Sequence, residues 1–352
     1  MNKLFFPLLG ITFLLSALAH YGHWGSGIVF TLSGLAILFA AGLLGKATES
    51  VAHYAGQRLG GFLNATFGNA AELIICIFLI KEGLFDIVKA SLTGAIIGNL
   101  LLVLGISAFV GGLKYREQKF NLHLAGQNAS LMLLAVISLF IPAIFVKTEH
   151  LSVENIHTMS LIVAGVLIVA YFGWLVYSMF THKDLLEDHI DTQAAHGEPA
   201  QWSKKLSIVF LVVATVMVAF ISEWLVHTLD SFTSSFGLSD LFVGAFVVAV
   251  IGNAAEHSAA VMLALKNKMG AAVEIAVGSS LQVALFVAPI LVFISLLFEQ
   301  QMDLIFTTIE IAAIGVAVFI ATSITRDGTT NWYEGKLLLL IYVILGVCFY
   351  FV

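Results

Sequence analysis

Almost every stretch between charged residues in this chain is an unbroken apolar run of roughly 15 to 25 residues, the length a helix needs to cross a bilayer. The runs fall at about 4–20, 25–45, 62–80, 91–112, 125–146, 158–180, 206–227, 241–264, 271–298, 303–325 and 337–352. Composition agrees, since 60% of the 352 residues are hydrophobic and 11% charged, against about 25% charged in a soluble domain. A soluble enzyme, a nucleic-acid-binding protein and a disordered chain are excluded. A transmembrane β-barrel would show short alternating segments between turn residues, whereas these runs are continuous. The expected fold is an all-α polytopic membrane protein with about 11 transmembrane helices.

Orientation follows from lysine and arginine, which collect in cytoplasmic loops. With the N-terminus inside, only Lys81, Lys89 and Lys147 of the 16 fall outside. The N-terminus is therefore expected in the cytoplasm and the C-terminus outside. Lys3 and the apolar stretch from Leu4, ending in Ser16-Ala-Leu-Ala19, have the look of a secretory signal. The segment reads instead as the first transmembrane helix. A net charge of −6 offers nothing to a polyanionic partner. Cys76 and Cys348 lie in apolar runs and make no disulfide framework.

Five residues occur twice: Gly68-Asn69-Ala-Ala-Glu72 and Gly252-Asn253-Ala-Ala-Glu256. Each copy is followed by a second similar segment, Gly94-Ala-Ile-Ile-Gly98-Asn99 in the first and Glu274-Ile-Ala-Val-Gly278-Ser279 in the second. Five spans separate the two glutamates, an odd number, so the halves are inverted relative to each other. Inverted repeats with a midplane site are the architecture of secondary transporters. The expected organisation is an accessory helix at 1–24, a first five-helix repeat at 25–180, a linker at 181–205 and a second five-helix repeat at 206–352. The linker is cytoplasmic on this reading. Its acids Asp184, Glu187, Asp188 and Asp191 make it either a solvated tether or a cation-sensing regulatory segment.

A carboxylate at mid-membrane is costly and marks function. Glu72 and Glu256 read as a cation site or a proton relay. Calcium takes six to eight oxygen ligands from carboxylates, carbonyls and amides. Gly68 and Gly252 permit local unwinding that frees main-chain carbonyls, and Asn69 and Asn253 add amide oxygens. Soft metals are disfavoured, because no cysteine or histidine pair sits at ligand spacing. Asn99 and Ser279 align, and Gln282 lies nearly one turn beyond Ser279 on the same face. These three are ligands, supporting groups or ordinary interhelical hydrogen-bonders. His257 follows Glu256 as a ligand or a supporting group. Glu49 and Glu223, each with a histidine four residues on, mark either access routes or interfacial helix ends.

Leu63-Asn-Ala-Thr-Phe-Gly-Asn-Ala-Ala-Glu-Leu73 and Val250-Ile-Gly-Asn-Ala-Ala-Glu-His257, with Gly-Ser-Ser-x-Gln at 278–282, resemble the α-repeat signatures of the calcium/cation antiporter superfamily, calcium/proton exchanger branch. The resemblance implies that Glu72 and Glu256 bind Ca2+ and H+, that Ser279 and Gln282 line the same site, and that Asn69 and Asn253 shape it. Many relatives carry serine before the asparagine of the fourth span, where this chain has Gly98-Asn99. On this reading Ca2+ is a transported substrate, no cofactor is needed, and the ions exchange across the lipid bilayer by competing for the same carboxylates. No enzyme motif such as HExxH or GxSxG is present. A sodium/calcium exchanger and a cation channel are the rival readings. A bacterial plasma membrane suits the short loops and compact termini, and a homo-oligomer is compatible with the sequence.

Overall fold

A computed structural model of the chain describes residues 4–149, 151–182 and 201–352. Helix dominates. In chain order the helices are α1 (Phe5–Tyr21), α2 (Ser26–Phe67), α3 (Ala70–Lys81), α4 (Phe85–Ile97), α5 (Leu104–Tyr115), α6 (Leu122–Glu149) and α7 (Val153–Val176). After the linker come α8 (Lys204–His227), α9 (Leu229–Phe236), α10 (Ala249–Ala264), α11 (Met269–Gln282), α12 (Ala288–Ser295), α13 (Thr308–Ile324) and α14 (Trp332–Tyr350). Among the described residues nine helical segments are long and apolar enough to cross a membrane, and α1 is apolar but shorter. The expected third span is the 12-residue α3. The chain is a multi-pass helical membrane protein.

One boundary differs from the sequence expectation. The charged stretch after the second run was read as an inter-span break, yet α2 continues through it to Phe67. Lysine, glutamate, glutamine and arginine are good helix formers, so charge alone does not end a helix. The break comes at Gly68 and Asn69, both in a turn.

The described chain forms two compact units, each drawing on both sequence halves. Among the described residues one comprises 4–91 and 201–256 with Val352, the other 92–149, 151–182 and 257–351. In the first unit α2 packs along α8 and α1, and α3 packs on α8. Buried serines pin these contacts, Ser16 to Ser33 at 2.8 Å and Ser50 to Ser207 at 2.7 Å. Phe30 and Phe232 stack with centroids 3.9 Å apart.

In the second unit α5 lies against α14, α6 against α13 and α7 against α12. A Cβ at Gly335 would collide with the backbone of Phe109 and Gly105, so glycine there sets how closely α14 approaches α5. A short antiparallel ribbon pairs Glu117–Lys119 (β1) with Thr329–Asn331 (β2), Gln118 opposite Thr330. Helix starts are capped where the sequence supplies the residues. Thr307 with Glu310 and Asn331 with Glu334 form capping boxes at α13 and α14.

Candidate functional site

The first unit brings the two repeated motifs together. The turn at Gly68-Asn69 ends α2 and starts α3, which puts Glu72 in the first turn of α3, where the helix dipole favours negative charge. Glu72 is 2% exposed. The side chain of Asn253 on α10 donates to Glu72 Oε1 at 3.2 Å and to the Ala249 carbonyl at 3.0 Å. The two helices lie close here, since a Cβ at Gly252 would stand in ordinary van der Waals contact with Ile75 at 3.6 Å and Glu72 at 3.8 Å. Glu256 is half-buried one turn beyond Asn253 on α10. Glu72 Oε2 has no hydrogen-bond partner among the described residues. Asn69, also buried, occupies the N-cap position of α3, and its carbonyl accepts from Leu73.

The expected unwinding occurs in only one copy. At Gly68-Asn69 the helix breaks; at Gly252-Asn253 α10 runs straight through. The Asn253 side-chain amide bonds back to the Ala249 carbonyl one turn earlier in this unbroken helix. The second copy carries its irregularity upstream, as a π-helical turn at Val243–Val248.

Two further π turns follow the companion segments. Gly98–Val103 contains Asn99, and Val283–Val287 begins immediately after Gln282. π turns inside α-helices recur at functional sites, and no sequence signal announced these three. In the second unit Asn99 is 1% exposed, its Oδ1 lies 3.2 Å from His257 Nε2, and its Nδ2 has no partner among the described residues. Ser279 is buried and Gln282 half-buried. Ser280, which sequence reasoning passed over, is fully buried and donates to Ala276 at 2.9 Å and to Ile96 at 3.4 Å. Its place beside Ser279 in Gly-Ser-Ser was the available clue.

Other expected residues sit elsewhere. Glu223 is exposed near the end of α8 and pairs with Lys81 at 3.6 Å, at the far end of α3 from Glu72. Glu49 is exposed on α2. Asp184, Glu187, Asp188 and Asp191 lie outside the described residues.

Chemically, the first unit offers two carboxylates and an amide in a buried, helix-lined setting. Among the described residues no group of three or more histidine, cysteine or acidic side chains converges. A hard cation held by two carboxylates, with carbonyl, amide and water oxygens completing the shell, fits this donor set.

Comparison with known proteins agrees. The family model described as sodium/calcium exchanger protein matches residues 25–180 and 206–351. The chain is 46% identical over 352 residues to the Ca2+/H+ antiporter ChaA of Bacillus subtilis, covering 99% of both chains. To the Ca2+/H+ antiporter of Aphanothece halophytica it is 45% identical over 362 residues, covering 99% of this chain and 97% of that one. Its fold matches the solved structure of native YfkE with a TM-score of 0.87 and 42% identity, over 99% of this chain and 100% of that one. The chain belongs to the sodium/calcium exchanger family and, within it, to the calcium/proton exchanger branch.

Proposed function

We propose that this protein is a secondary transporter, not an enzyme, that exchanges Ca2+ for H+ across a membrane by alternating access. The observation that carries the reading is the pairing of the two repeat motifs in one unit, where Asn253 of the second holds Glu72 of the first while Glu256 stands one turn away. The Ca2+/H+ antiporter names of close relatives support it.

Two carboxylates brought together out of water repel each other, and they hold protons when no cation is present. A divalent cation supplies the charge that displaces those protons. The same oxygens then hold Ca2+ or H+ but not both, and this exclusion couples the two fluxes. Asn253 keeps the Glu72 carboxylate pointed at the site. Asn99, Ser279 and Gln282, marked by the repeat pattern, belong to the second unit and offer neutral oxygens there.

The reading extends to placement. The protein lies in a bacterial plasma membrane with its N-terminus in the cytoplasm and its C-terminus outside, built from an accessory helix (1–24) and inverted repeats at 25–180 and 206–352. The cytoplasmic linker at 181–205 joins them.

Purified protein in vesicles with an imposed pH gradient and no sodium tests the function. Ca2+ should accumulate against its gradient and collapse when the pH gradient is dissipated. Uptake that needs sodium would mean a sodium/calcium exchanger, and downhill Ca2+ flux indifferent to pH would mean a channel.

A further inference from the structure

The repeats are unequal at one position. Where the first has Gly94, the second has Glu274, four residues before the aligned glycines Gly98 and Gly278. Glu274 lies in the second turn of α11, inside a membrane span.

Helix α11 is packed almost all round. From Met269 to Gln282 only Ala271, Glu274, Ile275 and Gln282 are not buried. Gly278, itself buried, lies on the same side with room beside it, because a Cβ there would meet nothing within 4 Å. With 3.6 residues per turn, positions 271, 274, 275, 278 and 282 line one side of the helix. They span about 16 Å along the axis at 1.5 Å per residue. The open stripe starts at the helix N-terminus and ends at Gln282, beside the π turn.

What faces that stripe follows from its chemistry. The exposed sides of α6 and α7 in the same unit carry large apolar residues, among them Ile141, Phe145, Val166 and Val169, as a surface in lipid must. The α11 stripe carries a carboxylate, an amide and a glycine. A carboxylate facing hydrocarbon is disfavoured by several kcal/mol, whereas one lining a water-filled cavity is the usual case. In the first repeat the aligned stretch from Ser91 to Val103 is buried except at Leu102, the counterpart of Gln282. Only the second repeat has an open flank here.

The mouth of the stripe is held in shape. Between α10 and α11, Lys114 donates to the Leu265 carbonyl at 2.8 Å. Gln118 donates to the Ala264 carbonyl at 2.9 Å and to Asn267 at 3.0 Å. Lys266 and Lys268 lie at this mouth, the side that the lysine and arginine distribution assigns to the cytoplasm.

We propose that the Ala271–Glu274–Ile275–Gly278–Gln282 side of α11 lines a water-filled cytoplasmic route for the divalent cation, and that Glu274 is a relay carboxylate capturing the cation before it reaches Gln282. The inference rests on the exchange function proposed above. Because the first repeat has glycine at the matching place, Glu274 acts on one side of the membrane only.

The experiment uses the full chain in membrane vesicles of both orientations. Glu274→Gln should raise the half-saturating Ca2+ on the order of tenfold when Ca2+ is presented at the Lys266/Lys268 face. The maximal rate should be kept, Ca2+ dependence from the other face unchanged, and Glu274→Asp should restore the affinity. A membrane-impermeant thiol reagent should label Glu274→Cys and Gly278→Cys from that face alone, and leave Val273→Cys on the packed side unlabelled. This labelling does not need transport, so it decides the matter even if the glutamine variant is inactive. An unlabelled Glu274→Cys, or a glutamine variant with wild-type Ca2+ dependence from both faces, overturns the proposal. Failure of the unmodified protein to exchange Ca2+ for H+ would overturn the proposed function itself, whereas the labelling pattern at Glu274→Cys decides the α11 route whatever that outcome.

Discussion

Asn253, from the second Gly-Asn-Ala-Ala-Glu motif, donates its amide hydrogen to the carboxylate of Glu72, from the first, at 3.2 Å. Residues 181 apart in sequence thus meet as donor and acceptor in a buried setting. A carboxylate held this way keeps one oxygen engaged and the other available.

Removing that donor tests how much the orientation matters. A hydrogen bond to a charged group is worth about 1.5–3 kcal/mol, so Asn253→Ala should weaken apparent Ca2+ affinity roughly tenfold or more. Asn253→Asp should not rescue it, since a carboxylate cannot donate. Ca2+ dependence of uptake in vesicles measures both, and a wild-type affinity in Asn253→Ala would remove the positioning role.

Glu72→Gln and Glu256→Gln should each abolish exchange while leaving the protein folded, because glutamine keeps the size and loses the charge. Transport assays on variants checked for membrane insertion and a monodisperse elution profile would show it. Near wild-type uptake in either would displace that residue from the site.

Protons and Ca2+ that share carboxylates must compete. Raising the proton concentration on the loading side should weaken apparent Ca2+ affinity with little change in maximal rate. The effect should span about pH 6 to 8, where closely placed carboxylates in a dry setting exchange their protons. Initial rates against Ca2+ at a series of pH values would reveal it, and a flat affinity across that range contradicts the shared site.

The acidic linker is tested by converting Asp184, Glu187, Asp188 and Asp191 together to amides. A segment that concentrates Ca2+ near the cytoplasmic mouth acts through a surface potential reaching about 8 Å at physiological salt. The quadruple variant should then transport less at limiting Ca2+ and normally at saturation, and high salt should mimic it. An unchanged Ca2+ curve would make the linker a tether.

Packing of α14 on α5 depends on Gly335, whose Cβ position is occupied by the Phe109 and Gly105 backbone. Gly335→Val should cost about 1–3 kcal/mol or more, as overpacking does. A lowered thermal midpoint for detergent-solubilised protein is the expected readout, and an unchanged midpoint would mean that α14 can shift without penalty.

The apolar runs and the doubled Gly-Asn-Ala-Ala-Glu motif were legible in the sequence because both are linear patterns. The bond from Asn253 to Glu72 was not, since a donor–acceptor pair across 181 residues leaves no local trace. The course of α2 through Lys46, Glu49 and Arg58 was misjudged because charge was treated as a helix stop, whereas the helix runs on even through Gly60-Gly61 and ends only at Gly68-Asn69. At Gly252-Asn253 the same residues stay helical, since tertiary context outweighs propensity of this size. Glu274 was visible, but its meaning required knowing that the rest of α11 is packed.

The π-helical turns at Gly98–Val103, Val243–Val248 and Val283–Val287 have a mechanical consequence. Each stores one residue more than an α-turn would hold, a dislocation kept inside an otherwise continuous rod. Moving the dislocation along by one position revolves each side chain it passes by about 100° about the axis, one residue's share of a 3.6-residue turn. The rod need not break for this to happen. Asn99 and Gln282 sit on or against such dislocations, so a polar group there can be turned toward or away from a given direction by a local rearrangement of hydrogen bonds, while both ends of its span stay anchored.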